Sequence, residues 1–128
     1  MDTQFPGRGA NAIGVDAAGN ASVTGTTPED ETMFPVTVGP DLTFNGVYDA
    51  FVAKVKADGT GLVHSGYIGG ASDDYGQAIA LDVSGNAYVT GDTVFGGFPV
   101  TVGPDLLSNG DWDAFVAKVN GDGTALVY

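Results

Sequence analysis

Residues 34–64 and 98–128 are one segment written twice. FPVTVGPDLTFNGVYDAFVAKVKADGTGLVH and FPVTVGPDLLSNGDWDAFVAKVNGDGTALVY agree at 23 of 31 positions. A second pair, ANAIGVDAAGNASVTG at 10–25 and GQAIALDVSGNAYVTG at 76–91, agrees at nine of 16. Near-identity at a fixed offset means that each copy is one supersecondary unit and that both must adopt the same local structure. The offset is 66 in the earlier pair and 64 in the later one. The difference falls where TTPEDETMF (26–34) replaces the shorter DTVFGGF (92–98), and an insertion there marks a solvent-facing loop. The chain divides into a first unit, 1–66, and a second, 67–128. Met1 stands opposite Tyr67 and Tyr128 opposite His64, so both ends fall near one phase of the repeat. That is expected of a head-to-tail ring, or of a piece excised from a longer array.

The pattern inside a unit is that of short strands. In DAFVAKV the set Phe51, Ala53, Val55 faces one way and Ala50, Val52, Lys54 the other, and 113–119 repeats it. Both sides are mainly apolar, so this strand belongs between two packed layers. Four strands are expected in each unit. The first covers 78–82 (12–16), followed by a turn in which Gly85 and Asn86 are suited to positive φ. The second covers 87–93 (21–27), the third is DAFVAKV, and the fourth is GLVHSGYIGG, entered through the Asp58-Gly59 hairpin. In the second unit the fourth strand stops at Val127-Tyr128, and residues 2–5 are expected to complete it, from the same chain or a neighbour. Prolines 35, 40, 99 and 104 keep the intervening loop out of a central strand. No stretch of helical length carries a 3.6-residue apolar period. The fold class read here is all-β: two four-stranded antiparallel propeller blades, stacked radially and completed by oligomerisation. An eight-stranded two-sheet sandwich is the competing architecture, but it gives no reason for such close duplication of the loops.

Charge restricts the partners. Four Lys or Arg stand against sixteen Asp or Glu, for a net charge of −12. Such a surface repels phosphate backbones and anionic lipid, so neither nucleic acid nor a membrane is an expected partner. Fourteen of the acids are Asp. Asp bonds to backbone amides two residues on, so most of this charge belongs to turns. There is no cysteine, hence no disulfide and no thiolate chemistry. No run reaches the ~18 apolar residues of a bilayer span, and residues 1–15 lack the basic and apolar regions of a secretion signal.

Candidate sites follow from the loops. Asp16 and Asp82 each precede a turn ending in Gly-Asn and are expected to accept its amides. Asn109, Asp111 and Asp113 alternate three oxygen-bearing side chains and form the best metal-ligating candidate. No cofactor is expected otherwise; calcium, which takes six to eight oxygens, is the one that pattern would suit. The counterpart Asn45-Gly46-Val47-Tyr48-Asp49 lacks the middle carboxylate, which favours turn chemistry. Asp73-Asp74 reads as an exposed loop start, because adjacent like charges need solvent or a cation. His64, the only histidine, stands opposite Tyr128 and reads as a ring packed at a blade edge. Tyr48 and Trp112 occupy equivalent loop sites before the third strand, where they would stack on a sugar or grip a peptide, or else pack on the next blade. Phe34 and Phe98 are expected to anchor their loop, and Phe51 and Phe115 to lie in the core. No catalytic constellation of Ser, His and Asp recurs, and no glycine-rich phosphate loop opens a helix.

The sequence also resembles the SBBP family, a beta-propeller repeat of bacterial surface and secreted proteins. The resemblance rests on Asp49-Ala50-Phe51-Val52-Ala53-Lys54-Val55, Asp58-Gly59-Thr60, Tyr67-Ile68-Gly69-Gly70 and Asp73-Asp74-Tyr75-Gly76. It continues through Ala78-Ile79-Ala80-Leu81-Asp82, Gly85-Asn86-Ala87-Tyr88-Val89-Thr90-Gly91 and Phe98-Pro99-Val100-Thr101. The first unit departs from it at MDTQFPGRG. The resemblance implies a propeller repeat with extracellular or cell-surface placement in the native parent protein, and no shared catalysis. The function expected is a non-catalytic scaffold or ligand-binding module. Its partners are further copies of itself, as a cyclic trimer of six blades or tetramer of eight, and a carbohydrate or protein ligand. The alternative is a calcium-dependent lyase or hydrolase with its site at the central channel of the assembled ring.

Overall fold

The computed structural model describes residues 9–28, 35–99, 102–105, 107 and 109–128. Among them the regular structure is entirely β. The strands are β1 (Gly9–Val15), β2 (Ala21–Pro28), β3 (Tyr48–Val55), β4 (Leu62–Ile68), β5 (Asp74–Leu81), β6 (Ala87–Val94) and β7 (Trp112–Val119). The first four form one antiparallel meander and the last three another, and neither sheet closes on itself. The register repeats as the sequence does: Gly25 pairs with Phe51 in the first sheet, and Gly91 with Phe115 in the second. Even the irregularity repeats. The ladder slips between Ala10 and Ala12 in β1 and between Gly76 and Ala78 in β5, which bulges Asn11 and its counterpart Gln77.

The fourth strand of the second unit is short among the described residues. It is a bridge between Val119 and Leu126, extended by Val127 N donating to Lys118 O at 2.6 Å and Lys118 N to Tyr128 O at 2.9 Å. Residues 2–5, expected to continue it, and Phe34, expected to anchor its loop, lie outside the described residues. β4 itself runs to Ile68, past the boundary drawn at 66. Its outer edge is covered by the proline-bearing loop: Thr37 N donates to Ser65 O, Ser65 N to Val38 O and Tyr67 N to Asp41 O. That loop therefore satisfies the edge amides of the last strand while contributing no central one.

Turn chemistry accounts for the Asp excess. Asp16 Oδ1 accepts from Ala18 N and Asn20 N at 3.0 and 2.9 Å, and Asp82 Oδ1 accepts from Ser84 N and Asn86 N at 2.9 and 3.0 Å. The Asn20 side chain and backbone bonds hold Asp16 at a pKa of about 2. Gly19 and Gly85 supply the positive φ each turn needs, at 87° and 82°; Asn86 does not, so glycine alone makes the reversal.

The two sheets pack face to face. In the first, the forward face carries Ala50, Val52 and Ile68, and all three are buried. They meet the rear face of the second, built from Ala87, Val89, Phe115, Ala117 and Val119 with Ile79 and Leu81 alongside. Phe98 stacks on Phe115 with centroids 4.2 Å apart, as its anchoring role requires. Close approach is permitted by glycine. A Cβ on Gly76 would lie 2.8 Å from Gly25 O and would collide with the Thr24 hydroxyl, and one on Gly14 would stand 3.3 Å from the Leu81 side chain. Asn11, pushed out by its bulge, donates across the gap to Gly76 O at 2.7 Å.

Gly76→Ala is therefore expected to wedge the sheets apart and cost about 1–3 kcal/mol. Urea unfolding checks this, with Gly59→Ala as the control: its Cβ would meet nothing within 4 Å, although its φ of 73° carries its own strain. A Gly76→Ala chain no less stable than that control would mean the sheets are not held this closely.

Candidate functional site

Three features converge where β3, β5 and β7 begin. The first is a column of rings. Tyr48 and Tyr75 stack with centroids 5.8 Å apart, and Tyr75 and Trp112 at 5.7 Å. The two residues singled out in sequence, Tyr48 and Trp112, are thus brought together, but through Tyr75, which the sequence left in a motif without a role. Tyr75 is fixed from below: its hydroxyl donates to Asp73 Oδ2 at 3.4 Å, and burial, with Asp73 beside it, pushes its pKa to about 12. Trp112 ends the column with most of its surface exposed. Beside it Phe95 is exposed, held at a φ of 57° with its N–H donating to Asp111 O at 2.9 Å. A flat exposed indole backed by two stacked phenols suits the face of a sugar ring or an extended side chain.

The second feature is a pair of buried carboxylates. Asp74, read in sequence as part of an exposed loop start, is fully buried, and so is Asp49. The correction has a geometric cause: the Gly69-Gly70 step folds β5 back so that Gly70 N donates to Asp74 Oδ2 at 2.8 Å. Asp49 Oδ2 accepts from Asn45 N at 2.6 Å. Both carboxylates approach Gly69, where a Cβ would lie 2.6 Å from Asp74 Oδ2 and 3.2 Å from Asp49 Oδ1. Burial, and then the charges of Asp74, Asp41 and Asp73, push Asp49 up to about 7 against the Asn45 N–H. Burial likewise raises Asp74.

The loop read as a metal candidate is used differently. Asn109 N donates to Asp113 Oδ2 at 2.9 Å and Asn109 Nδ2 to Asp105 Oδ2 at 2.6 Å, while Asp111 contributes its backbone oxygen to Phe95. The first unit makes the same clasp from Asp41, Asn45 and Asp49. Asn109 and Asp113 therefore meet as donor and acceptor. Among the described residues no three His, Asp or Glu side chains converge as a metal cluster.

The third feature is a cleft of about 340 Å³ on the forward face of the second sheet, between Phe98, Val102, Leu107, Ala114, Val116 and Tyr128. In the first sheet the same surface is covered. Val52 is 0% exposed and its counterpart Val116 57%. His64 is buried against Gly123, in keeping with an edge-packed ring, while its counterpart Tyr128 faces solvent. On the rear face of the first sheet Ile13 and Val15 are 65% and 64% exposed, where their counterparts Ile79 and Leu81 are packed.

Because its folded pKa of about 7 lies above the ordinary 3.8, Asp49 holds a proton in the native state that the unfolded chain releases between those values. Its contribution is most favourable below the unfolded pKa and is lost as pH rises through 7. Asp49→Asn keeps the shape and removes the titration. In metal-free urea unfolding the variant gains on the parent at about pH 8, and the gain shrinks by roughly 2–3 kcal/mol by about pH 5. A pH-independent gain would mean the carboxyl is not raised.

Residues 65–99 match a family model described as a beta-propeller repeat, SBBP. No curated protein matches the chain. The matched stretch runs from within β4 through the β5–β6 hairpin to the loop after β6.

Proposed function

We propose that the chain is a non-catalytic β-propeller scaffold or binding module whose units stack forward face to rear face, from chain to chain as within one chain. Copies of the chain then close into a ring of six or eight blades. One observation carries this reading. Ala50 and Val52 are fully buried under the second sheet, whereas Ala114 and Val116, the same residues at the same strand positions, are exposed. The residues that would cover them, Ile13 and Val15, are exposed on the opposite face of the same chain. The two surfaces are copies of two surfaces already in contact, so they are complementary by construction and generate a heterologous, closing interface. Burying a valine of this kind contributes about 1.5–3 kcal/mol. The aromatic column, repeated around such a ring, supplies the rim on which a sugar or peptide would stack. An extracellular or cell-surface setting in the parent protein agrees with the beta-propeller repeat match.

Light scattering on a sizing column tests the assembly. The expected mass is three or four times the 12.9 kDa chain, and Val116→Asp, which places a charge on the uncovered face, reduces it to one. A parent chain that stays monomeric and folded at all concentrations would overturn the reading.

A further inference from the structure

The buried pair Asp49 and Asp74 has no use in the stacking just described, and it is chemically incomplete. Asp49 Oδ1 is buried and makes no hydrogen bond, and Asp74 Oδ1 is buried with no more than a weak donor, the Thr93 hydroxyl directly across the strand pair. The hydroxyl of Thr27, buried directly across the strand pair from Asp49, makes none either. Buried polar atoms are nearly always satisfied, so an orphaned hydroxyl beside one orphaned and one weakly held carboxylate oxygen points to a partner that the chain itself does not provide. Every unsatisfied atom here is oxygen. Asp41 and Asp73 add negative charge around the pair, and Lys54, the buried lysine, pairs instead with Asp16 at 3.2 Å. The backbone amides already present, Asn45 N and Gly70 N, each hold one oxygen of a carboxylate and not the other.

We propose that the start of β3, where the Gly69-Gly70 step turns the chain into β5, binds a calcium ion between the carboxylates of Asp49 and Asp74, with the Thr27 hydroxyl at its margin and water completing the shell. Oxygen-only ligands, two anionic groups and a flexible remainder are the chemistry of that cation rather than of a soft or imidazole-seeking metal. A divalent ion placed between them would neutralise the two buried carboxylates. The site is distinct from Asn109, Asp111 and Asp113, of which Asn109 donates to Asp113 and to Asp105. Gly7 and Arg8 stand in the first unit at the sequence positions of Asp73 and Asp74, so the expected stoichiometry is one ion per chain.

Thermal unfolding in chelator and in excess calcium tests this, together with terbium luminescence excited through Tyr48 and Tyr75, the chain neighbours of the two ligands. Calcium at about a hundredfold excess over its Kd is expected to raise the midpoint by roughly 5–10 °C and to displace terbium. Asp49→Asn and Asp74→Asn should unfold in chelator no earlier than the parent, since each removes a buried charge, and lose the calcium shift. Asp111→Asn should keep it. The site lies within one chain, so Val116→Asp should bind calcium as the parent does, and the site and the ring can fail separately. A parent midpoint indifferent to calcium, or a shift that survives in both Asp→Asn variants, or one lost in Asp111→Asn, would overturn the proposal.

Discussion

The packing of one sheet's forward face against the next sheet's rear face is the interaction on which the rest depends. A four-stranded antiparallel meander with apolar residues on both sides cannot hide both from water by itself. Ala50, Val52 and Ile68 are hidden in one cluster with Ala87, Val89, Phe115, Ala117 and Val119, with Ile79 and Leu81 of β5 packed against it. The approach is close because glycines stand where Cβ atoms would collide, at Gly76 over Gly25 and at Gly14 against Leu81. Polar bonds then fix the relative placement: Asn11 reaches Gly76 O, and Lys54 Nζ, paired with Asp16, donates to Gly121 O at 3.4 Å. A hydrophobic contact sets the energy and a few directed bonds set the register.

Strand existence was legible because the information is local and duplicated. DAFVAKV alternates in both units, Asp-Gly pairs punctuate it, and the structure places β3 and β7 there within a residue. The Asp-x-x-Gly-Asn turns were legible for the same reason, since carboxylate and amide lie within four residues. What could not be read is what joins distant segments. Asp74 looked exposed because its burial comes from β3 and the Gly69-Gly70 step, and nothing near it in sequence announces Asp49. Tyr75 was passed over as a site because its neighbours in the column lie 27 and 37 residues away. The loop over β4 was read correctly as no central strand, yet its three bonds to that edge depend on where the loop returns.

The end where β3, β5 and β7 begin gathers both chemically distinctive features of the molecule. The column of Tyr48, Tyr75 and Trp112 and the carboxylates of Asp49 and Asp74 are adjacent in sequence because a strand alternates its faces: Tyr48 goes one way and Asp49 the other, Asp74 one way and Tyr75 the other. Stacking brings both pairs to one end. Arg8 and Gly9 stand in the first unit at the positions of Asp74 and Tyr75, so the full column and the buried pair arise once per chain and not once per unit.

The chain has no cysteine, which makes one measurement direct. Within the chain Gly14 faces Leu81, and the corresponding positions on the two uncovered faces are Ala80 and Val15. These two point to opposite faces of the molecule, so they can meet only between chains, at the short Cβ separation a disulfide requires. Oxidation of the double variant Val15→Cys and Ala80→Cys should give a covalently closed trimer or tetramer on a non-reducing gel, while either single variant should not. Recovery of unlinked monomer, with both thiols free, would contradict the stacking of chain on chain.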